Sequence, residues 1–498
     1  MQGKKIVIVG GGIAGLCAGV YARKCGYDVE VLEMSQNAGG LATSWQRGGY
    51  TFETCLHWLL GSNPKGAFHS RWLEVFDIDK LKFVNPEEFV RLETDGGESL
   101  PIYTNVDRME AELLKNAPED AAEIRRFAST VRRLAKLPMP DPAEPFLTAL
   151  RTLPALPLLR QLSHISVEEY GRRFTHPLLK KFFEGESDEL SSLALLFSLA
   201  WLSERNGGYP IGGSQAVIRS IVNNLLTLGG HLRFGARVER ILVENDTATG
   251  VRLSDGETIP ADWVISAADG RATIYGMLGG LYADKNINRL YATLKPFTSY
   301  VQVSLGIARD LSQQPGFLTR ILDAPITVDP DTQLSRVSFR FFHFDPTFAP
   351  AGKTAVTCFL PTRNFQYWTS LEQGDPQRYR AEENRVAEEV IKILEAKLPD
   401  VRAAIEVIDV STPATVIRYT GNWKGSMEGW LMTPATGFRP LPIRLPGLRR
   451  FIMAGQWVMP GGGLPSGLMT ARSAIHAICK EDRMPFLPSL ETERRKAA

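Results

Sequence analysis

The residues from Lys4 to Glu33 constrain this chain more than any others. Lys4-Lys5-Ile6-Val7-Ile8-Val9 carries the unbroken apolar run of a strand buried on both faces. Gly10-Gly11-Gly12-Ile13-Ala14-Gly15 follows at once, and the spacing then predicts a helix over Leu16 to Lys24 and a second strand over Asp28 to Leu32. Strand, glycine turn, helix, strand and acid in that order predict a βαβ unit that binds a dinucleotide. Gly10 permits the tight turn, Gly12 lets the backbone approach a pyrophosphate, and Gly15 lets the helix pack close to the strand. The helix start, with Ile13 and Ala14 in the turn before it, offers unpaired N–H groups and a positive pole to the phosphates. Glu33, followed by Met34, stands at the end of the second strand, where an acid accepts hydrogen bonds from ribose hydroxyls.

A chain of 498 residues exceeds one ordinary hydrophobic core, so at least two lobes are expected. Its net charge of +2 argues against a general nucleic-acid binder. The five cysteines are odd in number and unpaired in spacing, as expected of reduced thiols in a cytoplasmic protein with no metal site. No signal segment is read before the first strand, and no run reaches the roughly 18 apolar residues of a membrane span.

Further along, 76–205 reads as long amphipathic helices broken by Pro-rich turns, among them Glu119 to Leu137 and Ser166 to Phe174. Gly207 to Ser214 forms a Gly-rich loop before another helix. The stretch His231 to Ala267 is strand-rich, with turns at Asn245-Asp246 and Asp255-Gly256. Beyond 291 a second lobe is expected, with a strand over Tyr300 to Leu305 and a strong helix over Glu382 to Leu398. A strand and turn over Phe451 to Gln456, including Gly455, then precede Pro460-Gly461-Gly462-Gly463-Leu464 and a helix over Leu468 to Lys480. That Gly-rich helix entry suits a polar ligand as well as a simple chain turn.

Gly39-Gly40 resembles the extended fingerprint of FAD enzymes of the glutathione-reductase-like class, although Leu41-Ala42-Thr43 stands where many members carry a basic residue. The whole chain resembles the phytoene-desaturase-like branch of the flavin amine-oxidase superfamily, which includes carotenoid desaturases, carotenoid cis-trans isomerase and retinol saturase. The resemblance is carried by four stations in order: the first fingerprint with Gly39-Gly40, Tyr50-Thr51-Phe52-Glu53, Gly212-Gly213-Ser214 and Pro460-Gly461-Gly462-Gly463. Asp345 to Pro350 and Thr412 to Thr415 add to it. The chain departs from the family pattern at Gln456, often acidic there, and at Cys55, often glycine.

The resemblance implies FAD and an α/β fold, a glutathione-reductase-like Rossmann domain interleaved with an α+β substrate-binding domain. Segments 1–75, 205–290 and 435–485 would hold the flavin, 76–204 and 291–434 the substrate, and 486–498 a polar tail. Backbone near Val238 would meet the adenine; Gly455 and Gln456 would meet the cofactor, and Pro460 to Leu464 its ribityl or pyrimidine side. The implied reaction is desaturation, saturation or cis-trans isomerisation of a lipophilic carotenoid or isoprenoid by hydride transfer at flavin N5. With no second fingerprint for a resident nicotinamide, NAD(P)H or quinone would exchange electrons transiently. Flavin amine oxidation and a non-enzymatic prenyl-lipid binder of the GDP-dissociation-inhibitor type are the competing readings.

Two features bear on the substrate. His57-Trp58 follows the segment that runs toward the isoalloxazine; His57 is either a proton carrier titrating near neutrality or a structural histidine beside a core tryptophan. Tyr209, Tyr419 and Trp423 are further aromatics of the pocket or of the core. Residues 120–181 hold 11 Lys/Arg and 6 Asp/Glu among apolar runs. That pattern fits a cap resting on the anionic inner face of a membrane, or an ordinary amphipathic cap with solvated arginines.

Overall fold

A computed structural model describes residues 3–54, 56–66, 68–137, 153–184, 189–437 and 441–488. The first strand, Lys5–Val9, lies in the middle of a five-stranded parallel sheet between Asp28–Leu32 and Trp263–Ser266. His231–Arg233 and Phe451–Met453 form its edges. Three helices cover it: Ile13–Lys24, Gly213–Thr227 and Gly463–Asp482. Residues at opposite ends of the chain therefore share one core, as a parallel sheet covered on its faces requires. The first helix begins at Ile13, one turn ahead of the sequence expectation, because Gly12 already serves as its N-cap.

The Asn245-Asp246 turn joins Val238–Glu244 to Thr247–Leu253 as an antiparallel hairpin. Both turn residues have positive φ (47° and 57°), the conformation that matches strand twist across a two-residue loop.

A seven-stranded sheet forms the second centre of packing. Its order is Ile405–Ser411, Ser299–Ile307, Thr354–Thr362, Thr332–Phe341, Phe317–Asp329, Glu88–Thr94, Ser99–Tyr103. The helical expectation for 76–205 is corrected here, because Glu88–Thr94 and Ser99–Tyr103 are strands. Glu88–Thr94 runs parallel to Phe317–Asp329, more than 200 residues later. Its Phe-Val-Arg-Leu alternation puts Val90 and Leu92 inward, a short period-two signal beside the longer helical pattern that follows it. The helix expected over Glu119 to Leu137 is Ala121–Ala135, and that expected over Glu382 to Leu398 is Pro376–Lys397. Ser166 caps a much shorter helix than expected, Val167–Gly171, through a reciprocal capping box with Glu169. Residues 138–152, part of the 120–181 stretch, lie outside the described residues.

Candidate active site

One cavity of about 2350 Å³ runs from the parallel sheet to the seven-stranded sheet. Single small-ligand pockets occupy roughly 300–1,000 Å³, so this one has room for a dinucleotide and a second large molecule. Every residue nominated from sequence for cofactor binding or catalysis lines it except Gly15. A Cβ on Gly15 would lie 1.9 Å from the Gly10 carbonyl oxygen, so Gly15 is a packing residue behind the site. A Cβ on Gly12 would lie 3.7 Å from the nearest protein atom, the Gly39 oxygen. Protein packing therefore leaves Gly12 open toward the cavity.

Gly39 N–H donates to the Gly11 carbonyl at 2.9 Å and brings the second glycine loop against the first. Glu33 is held by the N–H groups of Gly11 (2.7 Å) and Ser35 (2.8 Å). Burial pushes its carboxyl above the usual range while these donors pull it back. Each oxygen retains a lone pair for a hydroxyl. Ala236 N–H donates to the Glu33 carbonyl at 2.9 Å, which sets the backbone approaching Val238 beside it.

The last helix opens at Gly462 (φ 55°, ψ −149°), and neither this cap nor Gly12 supplies a side-chain hydrogen bond. Two uncapped helix starts therefore face one cavity, and they touch: a Cβ on Gly467 would lie 2.5 Å from Ile13 Cγ2. Uncapped N–H groups, a glycine floor and an acid at the strand end are the donors and acceptor an FAD requires, so the residues present fit that cofactor. Gln456 turns its amide toward Asn422 Oδ1 at 3.3 Å.

A buried cluster fixes the chain between the two ends. Glu53, 1% exposed, accepts from Tyr209 Oη (2.6 Å) and from Ser214 N–H (3.0 Å). The Gly212-Gly213-Ser214 helix start is thus satisfied by a carboxylate of the protein itself. A Cβ on Gly213 would lie 2.2 Å from Glu53 Oε2, which explains the glycine. Arg340 donates to the His57 carbonyl at 2.5 Å and lies over the Tyr209 ring at 5.2 Å. Burial pushes the Glu53 carboxyl up and the Arg340 guanidinium down, and their mutual attraction opposes both shifts.

His57 stands 6.0 Å from the Phe317 ring and 5.9 Å from Phe359. Its exposed surface faces the cavity rather than the outside of the protein. Burial, aided by the Arg340 charge, pushes its imidazole down to about 3. With that shift the ring is uncharged at physiological pH, which favours a neutral histidine over a proton carrier titrating near neutrality. Trp58 lies 5.9 Å from Trp201, which stacks on Phe197 at 5.3 Å. Phe89, Phe182, Leu159 and Leu193 continue the apolar wall. Tyr419 also lines the cavity, whereas Tyr209 is buried behind it and Trp423 packs against Trp430 and Trp457. Sequence reasoning missed Arg340 and Glu428: neither belongs to a motif, and only the tertiary fold brings them to the site.

Fold and site together define an FAD-dependent oxidoreductase. The chain belongs to the flavin containing amine oxidoreductase family, whose model matches residues 13–479. It is similar to prolycopene isomerase 1 of an Oncidium hybrid cultivar, 24% identical with 97% of this chain and 85% of that protein covered. It is similar also to phytoene desaturase (neurosporene-forming) of Rhodobacter capsulatus, 26% identical over 93% of this chain and 91% of that protein. These relatives place it in the phytoene-desaturase-like branch, as an enzyme of carbon–carbon double bonds that works by oxidoreduction or isomerisation. Among solved structures, an oxidoreductase from Methanosarcina mazei shares the fold at a TM-score of 0.61 and 16% identity, covering 95% of this chain and all of that one. No described helix is long and apolar enough to cross a membrane.

Proposed function

We propose that the protein desaturates, saturates or isomerises a long lipophilic polyene of the carotenoid or isoprenoid class. The observation that carries this reading is the continuity of one cavity from the uncapped helix starts to the aromatic and aliphatic wall. An apolar chain lying along Trp58, Phe197 and Trp201 would be removed from water while one of its bonds reaches the flavin. Bound FAD supplies the two-electron chemistry, giving or accepting hydride at N5.

The protein's own residues would divide the remaining work. The Gly12, Gly39 and Gly40 backbone and Glu33 hold the dinucleotide. Val238 would lie beside the adenine, and Gly455, Gln456 and Pro460 to Leu464 along the flavin. Segments 1–75, 205–290 and 435–485 form this cofactor body, while 76–204 and 291–434 hold the substrate. His57 acts as a neutral ring that orients the polyene, with Trp58 beside it. Leu153 and Leu156 are 57% and 49% exposed. Leu156 also lines the cavity, which supports loading from a membrane surface. NAD(P)H or a quinone would exchange electrons with the flavin at the same cavity.

The reading is tested by incubating FAD-loaded protein with phytoene or with cis and trans lycopene, with the flavin oxidised and then reduced, and separating the products. A changed number or geometry of double bonds is expected; unchanged polyenes in every redox state would refute it.

Two variants probe the substrate arm. Ala194→Trp places a large ring on the cavity side of the helix Ser192–Ser203. It is expected to lower polyene turnover more than tenfold at unchanged FAD content. His57→Ala is expected to retain FAD and to slow turnover. Neither the wild type nor the variant should show a histidine ionisation between pH 5 and 8 in kcat/KM, because a ring titrating at about 3 is already neutral there.

A further inference from the structure

Glu428 follows the short turn Trp423–Gly425 and faces the glycines that open the last helix. A Cβ on Gly462 would lie 2.6 Å from the Glu428 Cβ and 2.8 Å from its Oε2; one on Gly463 would lie 3.8 Å from Oε1. The side chain lines the cavity. Among the described residues no hydrogen bond or ion pair reaches its carboxyl oxygens, in contrast to Glu33 and Glu53.

This placement is not slack. The Glu428 carbonyl accepts from Ser426 Oγ, and Asn422 Nδ2 donates to the Ser426 carbonyl at 2.8 Å. A Cβ on Gly429 would lie 2.1 Å from the Gln456 carbonyl oxygen, so the segment is pressed against the 455–457 turn. The charged groups nearby are engaged elsewhere. Lys424 and Arg271 lie over the Trp423 ring at 4.6 Å and 5.6 Å, and Asp269 accepts from the Trp423 N–H at 2.9 Å. Asn422, Gln456, Trp457 and Met432, which surround the loop, carry no charge.

A carboxyl at the start of a 20-residue helix is drawn toward ionisation by the helix pole, whereas burial without a partner resists it. Burial pushes Glu428 up to about 8. In that state the carboxyl carries a proton at neutral pH and leaves the positive pole free for an electron-rich ligand.

We propose that Glu428 is a cofactor-tuning residue, its protonated carboxyl donating a hydrogen bond to the flavin edge that lies along Gly461 to Gly463. Ionisation withdraws this donor and sets a negative charge against electron uptake. When electrons enter the flavin above the carboxyl's own range, Glu428 takes up a proton from solvent to restore the bond. The inference depends on the FAD placement proposed above.

The test compares FAD-loaded wild type with Glu428→Gln, and with Glu428→Met as a second neutral variant, by spectroelectrochemical titration from pH 6 to 10. The wild-type midpoint potential is expected to fall more steeply with pH above about 8 than below it. The neutral variants should lack that added steepness. Parallel curves with FAD bound in all three proteins would overturn the proposal.

A second readout needs no cofactor. A carboxyl raised from 4.5 to about 8 in the folded state contributes stability that is full below 4.5 and lost as pH rises through about 8. The FAD-free wild type should therefore lose more Tm between pH 5 and 9 than Glu428→Gln. Equal losses would overturn a protonated Glu428. A wild type that shows the Tm difference yet binds no FAD would overturn the cofactor placement and this role with it.

Discussion

Gly12→Val is expected to leave the protein folded and strip it of FAD, with affinity falling at least about 100-fold, or roughly 2.7 kcal/mol. Gly12 sits at φ −75° and ψ −178°, an extended conformation open to valine. The added Cβ meets nothing in the protein closer than 3.7 Å. The valine methyls would instead occupy the space in which a pyrophosphate approaches the first helix. Gly15→Ala supplies the contrast. Its Cβ would lie 1.9 Å from a backbone oxygen, so strand and helix must separate and the loss should appear in folding. The ratio of flavin to protein absorbance, measured beside circular dichroism, checks both outcomes. Full FAD occupancy in folded Gly12→Val would remove the pyrophosphate from this turn.

Glu53→Ala is expected to destabilise the fold by about 3 kcal/mol. The change removes the acceptor for Tyr209 Oη and for Ser214 N–H. It also leaves the buried Arg340 guanidinium without the carboxylate that favours its charge. Arg340 holds the His57 carbonyl, so the loss should reach the chain that carries His57 and Trp58. Glu53→Gln keeps the shape and one acceptor and should cost less. Urea denaturation of the three proteins measures the order; a Glu53→Ala midpoint equal to wild type would show that the cluster contributes nothing.

The two glycine fingerprints could be read from sequence because their function lies in backbone geometry. A turn, a close approach and a helix start each demand residue types at fixed spacing, as Gly10, Gly12 and Gly15 show. The strands near 88–103 escaped because their partner, Phe317–Asp329, is remote in the chain and its pairing leaves no local mark. His57 illustrates a different boundary. Its position beside the cavity followed from the segment before it, but its ionisation is shifted by burial and then by Arg340, and its ring neighbours Phe317 and Phe359 come from a sheet formed far downstream. Glu428 gave no signal, since a carboxylate on a surface loop and one facing a cavity look alike until the Gly461 to Gly463 turn folds against it.

The central claim is that flavin and polyene share one cavity. An anaerobic absorbance titration of FAD-loaded protein with a long polyene tests it most directly, run on wild type and on Ala194→Trp. The polyene is expected to perturb or change the redox state of the wild-type flavin spectrum, and to need more than tenfold higher concentration in the variant. A wild-type flavin spectrum that no polyene alters, in either redox state, would contradict the shared cavity.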